Sequence, residues 1–299
     1  MNSMSSGPRH ADLSMLTSMQ VGGWARDLYE PGSFEELCEL LASLDDPFIL
    51  GGGCNTVFPD EDFCRPVIRT RKLGELRIQE NGRVYAEAGV GINQIIRQTV
   101  NAGLAGLEKL AGIPGTVGGG TAMNAGNGPD ACFGKHIREL HIVSPEDGAV
   151  RTIRGSEVPW RYRDWNMPGW VVAAVEMELQ PGDQVELRRE MEYYNKRKRK
   201  TQPLVHASSG CMFRNPGGGP SAGRLIQDCN LMGLSRGGAA VSTLHANFIV
   251  NSAGGKKREH SATSGDVRRL MEEVIRQVRE HTGYLLEPEV VFARDLAFA

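Results

Sequence analysis

Four short segments of this chain carry residues whose types and spacing suit chemistry. Gly51-Gly-Gly-Cys-Asn-Thr56 follows the apolar run 47–50. Glycines after a strand present successive backbone N–H groups to an anion such as a pyrophosphate. The segment lacks the Gly-Lys-Ser/Thr of a Walker loop, and it is not the Gly-x-Gly-x-x-Gly that opens a dinucleotide-binding helix. Arg163 in Arg161-Tyr-Arg-Asp164 offers a cation, Cys211 in Ser209-Gly-Cys-Met-Phe-Arg-Asn-Pro216 a thiol, and Glu289 in Leu286-Glu-Pro-Glu-Val290 a carboxyl. Such groups stabilise developing negative charge and deliver protons. Taken singly, each has a plainer reading. The glycines could be tight turns, Arg163 one arm of a surface ion pair with Asp164, Cys211 a small packed side chain and Glu289 the flank of a strand.

Composition narrows the classes. The chain has 299 residues, 40% hydrophobic and 23% charged, which describes a globular protein of two or three domains. A formal net charge of −2 argues against a general nucleic-acid or acidic-membrane binder. No run approaches the roughly 20 apolar residues of a membrane span, and the start lacks the apolar stretch of a signal peptide. A cytoplasmic protein with a short disordered tail over residues 1–13 is expected. Six cysteines without a Cys-x-x-Cys pair and seven histidines without His-x-x-x-His spacing predict no metal and no disulfide framework. Glycine, 37 of 299 residues, is in excess, and much of it sits in loops at 51–53, 112–120 and 217–219.

The elements that must position these segments follow from periodicity. Ser33-Phe-Glu-Glu36 is a capping box for a helix to about residue 44. Strands are expected over 47–50, 67–70 and 84–88. The segment 92–102 places Ile92, Ile95, Ile96 and Val100 on one helical face and stops at Gly103. Further strands are expected at 141–143, 151–153 and 171–178, and Pro181-Gly182 marks a boundary. A charged helix follows over about 185–200, ending in Lys196-Arg-Lys-Arg-Lys200. The last helix, about 266–281, has the stripe Val267, Leu270, Met271, Val274 and Val278 and ends at Gly283. The class is α+β.

The run Gly106-Leu-Glu-Lys-Leu-Ala-Gly-Ile-Pro-Gly-Thr-Val-Gly-Gly-Gly-Thr-Ala-Met-Asn-Ala-Gly126 resembles the flavin-binding signature of the UDP-N-acetylenolpyruvoylglucosamine reductases. The 51–56 loop resembles that family's Gly-Gly-Gly-Ser-Asn, with Cys54 in place of its usual serine. Met19-Gln-Val-Gly-Gly-Trp-Ala25, Arg161-Tyr-Arg-Asp164, the 209–216 element, Ala222-Gly-Arg-Leu-Ile-Gln-Asp228, Gly237-Gly238, Val241-Ser242, His245-Ala-Asn-Phe-Ile-Val-Asn251 and Leu286-Glu-Pro-Glu-Val290 follow in the family's order. The resemblance covers about residues 16–292.

The resemblance implies a two-part FAD-binding module of the vanillyl-alcohol oxidase type, at 14–71 and 72–183. It also implies an α+β substrate-binding domain at 184–299, whose last residues return to the FAD module. It implies noncovalent FAD held by Gly51, Gly52, Gly53, Cys54, Asn55, Thr56, Gly112, Ile113, Pro114, Gly115, Thr116, Gly118, Asn124 and Gly126. NADPH is the expected co-substrate. Tyr162, Asn215 and Lys200 are expected at the UDP-sugar, although which basic residues of 196–200 reach its diphosphate stays open. The family's longer class carries a tyrosine loop that has no obvious equivalent between 171 and 188, so the shorter class is expected, as a monomer. Another flavin oxidoreductase of the same fold would share the glycine loops but has no use for Arg163, the 209–216 element and Leu286-Glu-Pro-Glu-Val290 together. A nucleotide-sugar-binding regulator without chemistry has no need of the three reactive positions.

By the same resemblance, hydride adds to the terminal carbon of an enol ether and builds enolate character beside the substrate carboxylate. Arg163 and Glu289 are expected to stabilise that charge, Glu289 in its protonated form or through a hydrogen bond. Cys211 stands where the family usually has the serine that protonates the neighbouring carbon. An ordinary thiol, with a pKa near about 8.5, is still largely protonated at neutral pH and donates more readily than a hydroxyl. A thiol there is also more open to oxidation. Peroxide is therefore expected to inactivate the wild type faster than Cys211→Ser, measured as residual turnover against time; equal inactivation rates would refute this.

Overall fold

The computed structural model describes residues 7–128, 131–252 and 261–293. Helix α1 (Phe34–Ser43) starts at its cap, Ser33 Oγ accepting from the Glu36 N–H at 3.2 Å. The reciprocal bond is shifted by one residue: the Glu36 carboxylate accepts from the Gly32 N–H (2.7 Å). Leu37, Leu40 and Leu41 are buried with Ile68, Leu73, Val143, Val171 and Ala173. Strand Phe48–Leu50 runs parallel to Val67–Arg69, which runs parallel to the end of Trp24–Tyr29.

An antiparallel five-stranded sheet follows, in the order Val150–Arg154, Ile137–Val143, Val171–Glu178, Arg83–Glu87, Leu76–Ile78. Its central strand is a continuous apolar run because both faces are covered. Val171 and Ala173 pack with α1, while Val172, Val175 and Met177 belong to a second core with Ile92, Ile95, Ile96 and Val100 of helix α2 (Ile92–Asn101). Helix α3 (Val117–Ala122) takes the middle of the glycine run, which periodicity assigned to a loop. Glycine is a poor helix former. The turn forms because the Thr116 side chain caps it and because Gly118 can lie directly on the sheet, where a Cβ would come within 2.7 Å of Ala88 Cβ.

Helix α4 (Gln184–Thr201) covers the charged segment. The chain divides into two compact units, one built from Asp27–Gly52 and Arg65–Lys198, the other from His10–Arg26, Gly53–Cys64 and the chain from Arg199 onward. The change of unit falls inside α4 and not at Pro181-Gly182. Pro181 is paired with Leu104 across the short strands Gln180–Pro181 and Leu104–Ala105, which keeps it in the first unit. The tail expected to be disordered to residue 13 is also corrected. Arg9–Asp12 is a strand, His10 stacks on Trp24 at 4.8 Å, and Leu13 is fully buried with its N–H on the Gly23 carbonyl (3.0 Å). One buried leucine and a ring stack order a segment whose composition is polar. The rest of that tail, residues 1–6, lies outside the described residues.

The second unit holds helix α5 (Ala222–Asp228), helix α6 (Ser264–Thr282) and an antiparallel sheet of Ser235–Arg236, Ala239–Val241 and Ile249–Asn251. The expected stripe on α6 is wholly buried, against Met212, Phe213, Leu225, Ala239, Val241 and Ile249. Gly283, at φ 76°, ends the helix in the left-handed region. Val291–Phe292 pairs parallel with Thr56–Val57. Among the described residues no helix is long and apolar enough to cross a membrane, and no cluster of metal-ligating side chains occurs.

The start of α6 is held by two carboxylates: Asp60 accepts from the Ser264 N–H (2.7 Å) and the Gly265 N–H (3.0 Å), and Asp266 ties the cap. Asp266 accepts from the Thr263 N–H (3.1 Å), the Gly238 N–H (3.4 Å) and Arg269 (2.7 Å), while its own N–H donates to Thr263 Oγ1 (3.0 Å). Burial pushes the Asp266 carboxyl up, but the hydrogen bonds to Thr263, Arg269 and Gly238 outweigh it and hold the group below the usual carboxylate range. A depressed folded value means the stabilisation is present above about pH 4 and is lost as pH falls through the folded value. Asp266→Ala is expected to cost about 1–2 kcal/mol at pH 7 by urea unfolding. The deficit should shrink as the pH is lowered toward the folded value; a deficit independent of pH would remove the carboxylate from the account.

Candidate active site

In the first unit the two glycine loops meet backbone to backbone. A Cβ on Gly52 would lie 2.8 Å from the Gly115 Cα and 3.4 Å from the Thr116 nitrogen, and one on Gly51 would lie 2.8 Å from Thr116 Oγ1. Only glycine permits that approach. The far loop is fixed by the start of α2, whose N-cap Gly91 has no capping side chain. The Ile92 N–H donates to the Gly115 carbonyl (3.1 Å), and Asn93 clamps the loop from both sides, accepting from the Gly112 N–H (3.0 Å) and donating to the Ile113 carbonyl (3.3 Å). Periodicity on α2 identifies only its buried face, so it passes over Asn93. Its position one turn into a helix without a side-chain cap is the available signal.

Two of the expected cofactor glycines are committed to packing. The Gly118 N–H donates to the Ala88 carbonyl at 2.9 Å, and Gly126 lies buried against Ala131 and Cys132. Gly51, Gly52, Gly112, Ile113 and Gly115 keep half-buried backbone, Thr116 is buried and Pro114 is exposed. The half-buried backbone of Gly51, Gly52, Gly112 and Gly115, which no Cβ covers, fits the approach of a flavin nucleotide.

Asn124 sits at the end of this stretch, buried and at φ 38°. Its Oδ1 accepts from the Gly134 N–H (3.0 Å) and its Nδ2 donates to the Arg161 carbonyl (2.9 Å). Arg161 and Asp164 close a tight turn, the Arg161 N–H donating to the Asp164 carbonyl at 2.8 Å. At the turn's tip Tyr162 is 49% exposed, Arg163 has φ 58°, and the Arg163 guanidinium lies 4.9 Å from the Tyr162 ring centroid. Arg163 thus sits, half-buried, at the tip of this turn.

The second unit holds Gly53, Cys54, Asn55, Thr56, Cys211, Asn215 and Glu289. Gly53, at φ 66°, lies so close to the Leu16 carbonyl that a Cβ would overlap it, and the Ser18 N–H donates to the Gly53 carbonyl at 2.9 Å. Asn55 Nδ2 donates to the Glu289 carbonyl (2.9 Å), and the Val291 N–H donates to the Asn55 carbonyl (2.9 Å). Cys211 and Glu289 come to adjoining extended segments, joined by isolated bridges. The Glu289 N–H donates to the Met212 carbonyl at 2.8 Å, and Cys211 bridges to Phe248 on the other side. Both reactive residues are half-buried, as a proton donor that must meet a substrate requires.

Asn247 organises these segments and was not singled out from sequence. Buried at 4% exposure, it accepts from the Phe213 N–H (3.0 Å) and donates to the Phe213 carbonyl (2.8 Å), while its carbonyl accepts from the Met212 N–H (2.9 Å). An amide inside an apolar strand-like run, where asparagine is disfavoured, was the signal. His245 beside it accepts from the Asn247 N–H through Nδ1 (3.3 Å), and burial pushes the imidazole pKa down, so the ring is neutral with its proton on Nε2.

Asn215 is exposed and its Oδ1 accepts from the Ala222 N–H (3.0 Å), so part of its amide holds the start of α5. Lys200 is exposed on α4. Of the basic run, Lys198 is the residue whose aliphatic stem lies against the glycine stretch, its Cδ 2.8 Å from where a Gly112 Cβ would stand.

Known proteins resemble this chain along nearly its whole length. Residues 28–154 match the family model described as FAD binding domain, and residues 202–293 match that of the UDP-N-acetylenolpyruvoylglucosamine reductase, C-terminal domain. A UDP-N-acetylenolpyruvoylglucosamine reductase from Alkalilimnicola ehrlichii is 38% identical over 289 residues, spanning 93% of this chain and 91% of the relative. One from Carboxydothermus hydrogenoformans is 33% identical over 291 residues, spanning 93% and 92%. The crystal structure of the UDP-N-acetylenolpyruvylglucosamine reductase from Thermus caldophilus superimposes with a TM-score of 0.80 at 30% identity, covering 95% of this chain and 98% of that one.

Removing the Asn247 amide strands a buried donor and a buried acceptor on Phe213, each worth about 1–3 kcal/mol. Asn247→Ala is expected to lower the unfolding free energy by about 2–4 kcal/mol in urea titration. A loss below about 1 kcal/mol would mean that water replaces the amide.

Proposed function

Because this chain belongs to the family of UDP-N-acetylenolpyruvoylglucosamine reductases and is an FAD-containing oxidoreductase of peptidoglycan precursor synthesis, we propose that NADPH is its reductant and Cys211 its proton donor. The reaction yields UDP-N-acetylmuramate: the enolpyruvyl double bond gains a hydride and a proton, and NADPH becomes NADP+. The chemistry that bound FAD supplies is hydride transfer, accepted from NADPH and given to the terminal carbon of the enol ether.

Everything else falls to the chain. The backbone N–H groups of the 51–56 and 112–116 loops are the groups that would hold the nucleotide, Gly51 and Gly52 packing the first loop against the second. The Arg163 guanidinium binds the substrate carboxylate and spreads the charge that builds there as hydride arrives. The Glu289 carboxyl hydrogen-bonds the same developing enolate, for which it must carry its proton. Cys211 Sγ gives its proton to the carbon beside the carboxylate, and the resulting thiolate is reprotonated from solvent before the next turnover. Tyr162, on the exposed tip next to Arg163, is the substrate-facing ring of that turn.

The observation that carries this reading is the pairing of the Cys211 and Glu289 segments, distant in sequence, through the Glu289 N–H and the Met212 carbonyl at 2.8 Å. It supports the reading by setting the thiol-bearing and carboxyl-bearing segments side by side.

Anaerobic stopped-flow separates the two halves of the reaction. NADPH should bleach the flavin of wild type and Cys211→Ala at comparable rates. Recovery of flavin colour on adding UDP-N-acetylenolpyruvoylglucosamine should slow about 10²–10⁴-fold in Cys211→Ala, with Cys211→Ser intermediate. Undiminished recovery in the alanine variant would move the proton donor elsewhere. Bleaching by NADPH with no recovery on substrate in the wild type would overturn the reductase reading.

A further inference from the structure

The resemblance that assigns Asn124 to the cofactor does not account for where its amide points. The side chain is buried at 7% exposure, and both of its ends are spent on backbone, Oδ1 on the Gly134 N–H (3.0 Å) and Nδ2 on the Arg161 carbonyl (2.9 Å). Two residues earlier, the Ala122 carbonyl at the end of α3 accepts from the Trp165 N–H (3.1 Å). These two bonds grip the 161–165 turn just before and just after its tip, and the tip carries Tyr162 and Arg163. Asn124 itself has φ 38°, a conformation that asparagine, aspartate and glycine tolerate and most residues do not.

We propose that Asn124 is a positioning residue, which sets where the Arg163 guanidinium stands by tethering the Arg161 carbonyl to the end of the glycine stretch. The inference rests on the reading of Arg163 as the group that binds the substrate carboxylate. Arg161 and Asp164 bond to each other, which closes the turn. The Asn124 amide on one side and the Ala122 carbonyl on the other tie the closed turn to the end of the glycine stretch. Since the Asn124 Oδ1 holds Gly134 at the same time, the turn, the glycine stretch and the 133–135 segment move as one body. The flavin and the carboxylate that must lie beside it are in this way served by a single rigid piece of chain. A misplacement of about 1 Å in such a site is enough to cost about 10²-fold in rate.

Asn124→Asp is the sharpest variant. It keeps the shape, the left-handed backbone and the acceptor for Gly134, and it removes only the donor to Arg161. Asn124→Gly removes both bonds without straining the backbone and serves as a control on the new charge. The experiment is a double-mutant cycle with Arg163→Ala, read by flavin reoxidation with UDP-N-acetylenolpyruvoylglucosamine and by the dissociation constant of UDP-N-acetylmuramate on the oxidised enzyme. The flavin absorption spectrum is recorded for each variant.

The expected result is that each Asn124 variant slows reoxidation and weakens product binding by about 10–100-fold in the presence of Arg163. In the Arg163→Ala background the same change should act by less than about twofold, because the group it positions is gone. Effects that multiply in the double variant would overturn the proposal and leave Arg163 in its role. A shifted flavin spectrum without loss of product binding would also overturn it, by placing the amide on the cofactor. If Arg163→Ala alone reoxidises and binds product like the wild type, the carboxylate reading fails and the proposal with it.

Discussion

The first unit's two glycine loops depend on one constraint, the contact of Gly52 with Gly115, where they touch through bare backbone. Nothing larger than a hydrogen fits between them, so both loops must be glycine-rich and both must be held from behind. On one side the Phe48–Leu50 strand, paired with Val67–Arg69, delivers the chain to Gly51. On the other, α2 offers its first N–H to the Gly115 carbonyl and its Asn93 amide to Gly112 and Ile113. Helix α3 then continues directly from the contact and lies on Ala88 through Gly118. The glycines of the 51–52 and 112–118 stretches are thus the consequence of one close approach and of the packing that secures it.

Where loops are not held by sheet pairing, asparagine side chains take over, two of them, Asn124 and Asn247, buried. Asn93, Asn124, Asn247 and Asn55 each donate to a backbone carbonyl distant in sequence. Three of them also accept from a backbone N–H through the same side chain. An amide offers a donor and an acceptor at fixed separation, which imitates one rung of a strand pair at a place where no strand can pass. Asn247 satisfies backbone groups that would otherwise be buried without partners. Three of the four hold a segment that carries a residue assigned to the chemistry: Arg163 beyond Arg161, Cys211 before Phe213, Glu289 at the carbonyl that Asn55 holds.

The charged surface contributes differently. Ion pairs such as Arg276 with Glu273 and Glu280, or Arg224 with Asp228, lie along exposed helix faces and repeat at three or four residues. Exposed pairs of this kind are each worth less than about 1 kcal/mol. The apolar stripe of α6, wholly buried against its sheet, outweighs them in holding the second unit together.

Much of this protein is determined by local sequence. The caps and apolar spacing of α1, α2 and α6 are local properties, and each helix forms within two residues of where periodicity places it. The order of the short motifs names the family, because each motif keeps its residue types for chemical reasons. Tertiary structure alone decided the rest. That Val117–Ala122 is helical depends on Ala88 lying beneath Gly118, and that residues 9–13 are ordered depends on Trp24 and Gly23. That Asn124 serves Arg161 and that Lys198 lies against Gly112 likewise require partners remote in the chain. Periodicity reports which side of an element faces inward, whereas a hydrogen bond or a backbone contact is defined by the residue at its other end. Only the folded chain supplies that second residue.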